Sequence, residues 1–187
     1  KNLTVVVGDV LRMDWAKLLS DPPYKLIANL PYNISSQILF RVLEHRRLFK
    51  LLVLMFQKEV GERLIAEAGS RDYGILSVLM QAWFKIDRVV KVPPKAFYPP
   101  PKVDSAILRI TPDEDAIGRI RDPALLNRIL SQAFSQRRKT LRNALKGFAD
   151  APILESLGID ASARAETVTV EAYVLLANRL AEQTRES

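Results

Sequence analysis

Short apolar runs alternate with helically spaced apolar stripes as far as Pro112, and beyond it only helical stripes remain. This change of period constrains the fold more than any other feature of the chain. Residues 3–7 are a β-branched run that stops at Gly8-Asp9, and residues 24–28 are a second strand candidate that stops at Asn29. Residues 51–56 are apolar without a break, the pattern of a strand covered on both faces. Residues 86–92 and 106–110 predict two more strands, joined by the proline-rich loop VPPKAFYPPPKVDS. Ile38, Leu39, Val42 and Leu43 have helical spacing behind Ser35 and Ser36, either of which can cap a helix start. Val60, Leu64 and Ile65, and then residues 75–84, predict two further helices. Strands alternating with helices predict an α/β layered fold with a largely parallel sheet, over residues 1–112.

Residues 113–187 read as a small helical domain. PDEDAIG is polar and linker-like, and Asp122-Pro123 is a good N-cap and first-turn pair. Leu125, Leu126, Ile129, Leu130, Ala133 and Phe134 form a stripe that resumes at Leu141, Ala144 and Leu145 before Gly147 stops it. A short helix is predicted at Ile153, Leu154 and Leu157, and a last one runs through Tyr173, Leu176 and Leu180 behind Thr169.

The net charge of +7 is not spread evenly. Between Arg119 and Lys146 lie Arg119, Arg121, Arg128, Arg137, Arg138, Lys139, Arg142 and Lys146 against a single acid, Asp122. The rest of the chain balances, so the whole excess sits in one segment of the helical domain. A solvated helix face mixes signs; a stripe of one sign is what a polyanion-binding surface looks like. Cysteine is absent and His45 is the single histidine, which excludes disulfides, thiolate sites and zinc sites built from several Cys or His ligands. No apolar run approaches the ~18 residues of a membrane span. A reducing, cytoplasmic setting is expected.

The motif that asks for an explanation is NLPYNISS, residues 29–36, where an apolar strand ends on an amide, a proline and an aromatic ring. In an open α/β sheet, ligands bind outside the carboxyl ends of strands, and both Asn29 and Asp9 fall at such ends. If the ligand is an adenine, its exocyclic nitrogen is a poor nucleophile, because its lone pair is delocalised into the ring. Two acceptors aimed at its two N–H bonds localise that pair. The Asn29 side-chain oxygen is one. The Leu30 carbonyl is the other, held away from helical angles by Pro31. Tyr32 stacks on the base, and Phe97 in the proline-rich loop is the candidate for the opposite face. Pro94, Pro99, Pro100 and Pro101 stiffen that loop, and Lys95 and Lys102 flank it for phosphate contacts.

Four segments together, NLPYNISS, AFYPPPKVDSAILRI, AFSQRRKTLRNAL and RAETVTVEAYVLLANRL, closely resemble the ribosomal RNA adenine dimethyltransferases. The likeness runs through nearly the whole chain. It implies a partial Rossmann-like class I methyltransferase domain (residues 1–112) followed by a helical RNA-binding domain (residues 113–187). It implies S-adenosylmethionine as methyl donor, and two adjacent adenosines near the 3′ end of small-subunit ribosomal RNA as target, on the 30S subunit. Catalysis then belongs to Asn29, Leu30, Pro31, Tyr32 and Phe97. Asp9, Val10 and Asn29 face the cofactor, and Lys95, Lys102, Arg137, Arg138, Lys139 and Arg142 grip RNA, with Arg138 and Arg142 four apart on one helix face. Neither a metal nor a membrane is implied. Members of that family open with a basic arm, a strand, a glycine-rich E-x-G-x-G-x-G loop for the methionine end of the cofactor, and a later acid for its ribose. These elements are not among the 187 residues. The expectation is therefore a piece of a longer protein that binds cofactor weakly and is inactive alone, with its first ~20 residues displaced. Rival readings are a non-catalytic ribosome-assembly factor that binds rRNA, a dimethyltransferase of large-subunit rRNA, and a DNA adenine methyltransferase.

Overall fold

The computed structural model describes residues 3–116, 118–136 and 138–186. Two compact units make up the chain, Lys1–Gly61 with Asp87–Pro112 and Glu62–Ile86 with Asp113–Ser187.

The first unit is built on a four-stranded sheet of order β1-β2-β4-β3, with β1 Tyr24–Asn29, β2 Phe49–Gln57, β3 Phe84–Val92 and β4 Ser105–Pro112. β1 and β2 are parallel, with Asn29 opposite Met55. β2 and β4 are antiparallel, with Gln57 opposite Ser105. The sheet is mixed rather than largely parallel. The loop from β3 to β4 carries only a 3₁₀ turn, Pro94–Ala96, and no crossover helix of the kind a parallel connection needs. One rim of the sheet therefore gathers the carboxyl ends of β1 and β2 and the start of β4. Leu52, Leu54 and Phe56 on β2 are fully buried, while Leu51, Val53 and Met55 between them are half-buried. The unbroken apolar run thus covers both faces, unequally.

Helix α1 spans Trp15–Leu18 and helix α2 spans Ser35–Glu44. Neither Ser35 nor Ser36 caps α2. The hydroxyl of Ser35 donates to the Tyr32 carbonyl at 3.0 Å, so it closes the NLPY turn instead of the helix end. The expected strand at residues 3–7 does not form, and Val5 and Val7 are 76% and 94% exposed. β-branched residues favour strands only where neighbours cover their side chains, and among the described residues no strand pairs with this segment. From Asp9 onward the chain is anchored. The buried Trp15 indole donates to the Val10 carbonyl at 3.0 Å and packs on the rings of His45 and Phe49, each 5.7 Å away. The Arg41 guanidinium lies 5.2 Å above the Trp15 ring and donates to the Met13 carbonyl. Displacement thus stops well before residue 20. Helix α3, Lys58–Leu64, follows β2 directly, and a Cβ added at Gly61 would stand 3.2 Å from the Ala106 Cβ. That glycine lets α3 lie close against β4 beside the rim.

The second unit contains helices α4 Ile75–Gln81, α5 Pro123–Ser135, α6 Leu141–Ala144, α7 Ala151–Ser156 and α8 Val170–Glu186. Asp122 caps α5 by accepting the Leu125 N–H at 2.9 Å, and Thr169 accepts the Ala172 N–H at 3.2 Å at the start of α8. The stripe from Leu125 to Leu145 is not one helix. Thr140 makes a β-bridge to Arg164, and the Leu141 N–H donates to the Ala163 carbonyl at 2.7 Å. Those outside partners break the helical run, so Arg138 lies in a turn, Arg142 lies on α6, and the expected shared face does not exist. In this unit the buried Tyr73 and Tyr173 both pack against Phe134, with ring centroids 6.3 and 5.9 Å from it. Their hydroxyls donate to the carbonyls of Val168 and Ala165, both at 2.9 Å.

Burial pushes both phenols above their ordinary value of 10.0, with Glu171 adding to the effect at Tyr73, and the Tyr73 phenol and then Glu166 adding to it at Tyr173. A raised pKa means the protonated folded form is favoured. The contribution is complete below about pH 10, the unfolded value, and fades as pH rises through the higher folded values. Urea unfolding is expected to show constant stability from pH 8 to about 9.5 and a decline above about 10. Tyr73→Phe removes the hydroxyl and leaves the Val168 carbonyl unpaired, at a cost of about 1–2 kcal/mol near neutrality.

Candidate active site and basic surface

The alternation of β1 places Lys25, Ile27 and Asn29 on its exposed side. Asn29 is the last residue of the strand, and its amide has no hydrogen-bond partner among the described residues. Leu30 turns its side chain into the core and donates its N–H to the Met55 carbonyl at 3.4 Å. The Leu30 carbonyl accepts from no described donor, whereas the next two carbonyls are occupied. Pro31 accepts the Ile34 N–H at 3.2 Å and Tyr32 accepts the Ser35 hydroxyl. Two adjacent acceptors, the Asn29 side chain and the Leu30 main chain, are thus uncommitted at the rim. An unmatched carbonyl in a turn whose neighbours are all paired is an available ligand contact.

Tyr32 is half-buried, and its hydroxyl shares a 2.7 Å hydrogen bond with the fully buried Ser105 hydroxyl at the start of β4. This bond fixes the far end of the ring. Phe97 ends the 3₁₀ turn Pro94–Ala96, gives its N–H to the Pro94 carbonyl at 3.1 Å, and is half-exposed. Among the described residues, neither the Tyr32 ring nor the Phe97 ring has an aromatic partner. Tyr98 beside it is completely exposed, as are most of Lys95 and Lys102. An open cleft of about 360 Å³ lies where β2 ends, lined by Gln57, Lys58, Glu59, Pro94, Lys102, Val103 and Asp104. The Lys58 N–H donates to the Asp104 carbonyl at 2.9 Å and closes its floor.

Asp9 and Val10 occupy a turn ahead of α1. One Asp9 carboxylate oxygen accepts the Leu11 N–H at 2.9 Å, and the other lies 3.5 Å from the Arg12 guanidinium. Both Asp9 and Val10 are exposed. A carboxylate that accepts from an exocyclic amine, beside an apolar side chain for a ring face, fits the adenine end of S-adenosylmethionine. Part of that acceptor capacity is already used by the turn.

On the second unit, Arg128, Arg138, Lys139, Arg142 and Lys146 are exposed and have no ion pair among the described residues. Arg119 and Arg121 are paired with Asp113 and Glu182, so they contribute less to an outward field. Arg142 and Lys146 line a groove of about 460 Å³ together with Phe148. Arg137 lies outside the described residues.

The sequence profile described as "Ribosomal RNA adenine dimethylase" matches residues 1–182. The chain belongs to this family. As a member it is an rRNA adenine dimethyltransferase, a methyltransferase with a Rossmann-like α/β fold. It is 55% identical over 186 residues to a protein of Syntrophotalea carbinolica named ribosomal RNA small subunit methyltransferase A, covering 94% of this chain and 69% of that one. A protein of the same name in Chromobacterium violaceum is 50% identical over 179 residues, covering 96% and 68%. Among solved structures, a dimethyladenosine transferase from Plasmodium falciparum superposes with a TM-score of 0.83 at 28% identity, over 98% of this chain and 74% of that one. The 23S rRNA methyltransferase ErmE shares the fold, with a TM-score of 0.65 at 24% identity, over 96% and 72%.

Three groups at the dimethylase rim escaped the sequence reading. Ser105 is the last residue of the proline-rich loop, and Gln57 and Lys58 fall between the apolar run of residues 51–56 and the helix predicted at Val60. The antiparallel pairing of β2 and β4 sets Gln57 opposite Ser105, which holds the Tyr32 hydroxyl, and the Lys58 N–H reaches the Asp104 carbonyl beside them. The Tyr32–Ser105 bond has an asymmetric consequence. Tyr32→Phe strands a hydroxyl that is wholly buried and is expected to cost about 1–3 kcal/mol. Ser105→Ala leaves the phenol near solvent and costs about 0.5–1.5 kcal/mol. Urea titrations of both single variants and the double variant give the coupling.

Proposed function

We propose that the rim at Asn29 holds the 6-amino group of an extruded adenosine of small-subunit rRNA, and that the protein dimethylates two adjacent adenosines near the 3′ end of that RNA. The observation that supports this is the pair of free acceptors, the Asn29 amide oxygen and the Leu30 carbonyl, side by side at a strand end. The relatives' shared name supports the small subunit as substrate. S-adenosylmethionine supplies the methyl group when bound. Asp9 and Val10 would hold its adenine end, and Asn29 would face both the cofactor and the target.

The chain's own residues do the rest. The two acceptors take the two N–H bonds of the amine, draw it out of conjugation and orient its lone pair. Acceptors already fixed in place need no reorganisation as positive charge develops on the nitrogen, and preorganisation of this kind is worth about 10²–10³ in rate. The amine becomes acidic only after methylation, so water takes the proton and no strong base is required. Pro31 holds the Leu30 carbonyl out, and Tyr32, pinned through Ser105, stacks on one face of the base. Phe97 covers the other face. Lys95 and Lys102 take neighbouring phosphates, and the helical domain of residues 113–187 grips the RNA through Arg137, Arg138, Lys139 and Arg142. The protein acts where ribosomal subunits are assembled, in the cytoplasm. No helix among the described residues is long and apolar enough to cross a membrane.

Asn29→Ala is expected to lower methyl transfer to unmodified small subunits by about 10²-fold or more, with RNA affinity nearly unchanged. Charge reversal at Arg138 and Arg142 is expected to do the opposite, weakening RNA binding and reducing its salt slope by about one per lost phosphate contact. Transfer that survives Asn29→Ala contradicts the reading. Because Asp9 already serves Leu11 and Arg12, calorimetry of these 187 residues with S-adenosylmethionine is expected to show weak binding.

A further inference from the structure

We propose that the cleft at the ends of β2 and β4 receives the nucleotide adjacent to the target adenosine, and that Gln57 reads its base as adenine. This rests on the reading that the rim at Asn29 holds an adenosine.

The placement follows from the strand register. Asn29 is opposite Met55 on the neighbouring parallel strand, and Gln57 is two residues further along β2. One strand spacing and two residues of rise separate Asn29 from Gln57 by about 8 Å between Cα atoms. Adjacent bases of a splayed single strand reach sites that close, and single-stranded segments are where proteins read RNA bases. The cleft is linked to the stacking ring through the ladder, because Ser105, opposite Gln57, is the residue that holds the Tyr32 hydroxyl. Its volume of about 360 Å³ falls in the range of small-molecule sites.

The lining selects a nucleobase over a bare phosphate. Lys58 and Lys102 are balanced by Glu59 and Asp104, so the cleft has donors and acceptors of both signs and no net field to concentrate an anion. Pro94 supplies an apolar face. The Gln57 side-chain amide is half-buried and has no hydrogen-bond partner among the described residues. A glutamine amide offers one donor and one acceptor side by side, which matches adenine edge to edge. The Lys58 and Lys102 ammonium groups, exposed at the mouth, meet the phosphates on either side of that nucleotide. A site that prefers a second adenine explains physically how one enzyme addresses a pair of neighbouring adenosines.

The test is fluorescence anisotropy of the 187-residue chain with short single-stranded RNAs. Each carries one fixed adenosine, and the nucleotide on its 5′ side and then its 3′ side is varied through A, G, C and U. The wild-type chain is expected to prefer adenine on one side by about ten-fold. Gln57→Leu removes that preference and leaves the overall affinity within a few-fold. Gln57→Glu keeps the shape but replaces the donor with an acceptor, so preference moves to cytosine, whose amine donates to a carboxylate. A switch of preference does not arise from misfolding. Neighbour preference that is absent in the wild type, or unchanged in both variants, overturns the assignment. The reading of the rim is checked separately, by replacing the fixed adenosine and by Asn29→Ala. If discrimination at that position fails while Gln57 still governs its neighbour, the rim is misread and the cleft stands.

Discussion

Everything proposed for this protein depends on the pairing of β1 with β2. The parallel register sets Asn29 opposite Met55, and the Leu30 N–H follows onto the Met55 carbonyl. At that point the ladder stops, because Pro31 has no N–H to continue it. The chain therefore leaves the sheet with the Leu30 carbonyl unpaired among the described residues and one amide side chain at the surface. Both acceptors are fixed to a strand whose neighbour, β2, is buried through Leu52, Leu54 and Phe56. A site built on such an element does not need to organise itself when the ligand arrives.

Tyr32 extends this rigidity to the stacking surface. Its ring is held at the backbone by the Ser35 hydroxyl and at the phenol by Ser105. Ser105 is itself the first residue of β4, so both attachments lead back to the same sheet. The proline-rich loop delivers Phe97 and the lysines from the end of β3 to the start of β4. The rim is in this way a junction of three strand ends, and the cleft behind Gln57 is its continuation. The basic surface of the second unit has a different physical character. Arg138, Lys139, Arg142 and Lys146 sit on turns and a short helix, exposed and without an ion pair among the described residues, as contacts that follow a phosphate backbone without reading sequence.

Local pattern made much of this readable. The apolar runs of β1, β2 and β4 and the caps at Asp122 and Thr169 are short-range signals, and each produced its element. NLPY stood out because an amide followed by a proline is a poor way to end a buried strand. What local pattern could not carry was partnership. Residues 3–7 have the composition of a strand, but a strand exists only when another backbone pairs with it. Arg138 and Arg142 have helical spacing, but the bridge from Thr140 to Arg164 breaks the helix between them. The Tyr32–Ser105 bond joins residues 73 apart in the chain, and the uncommitted amide of Gln57 matters only once Ser105 lies opposite it. The sites that escaped are those created by antiparallel pairing of β2 with β4.

The most direct measurement is a crystal structure of the protein with a short single-stranded RNA containing two adjacent adenosines. The account predicts one adenine extruded between Tyr32 and Phe97, its amino nitrogen about 3 Å from both the Asn29 amide oxygen and the Leu30 carbonyl. An adenine bound with its amino group directed away from those two oxygens, or an RNA that bypasses the rim altogether, contradicts it.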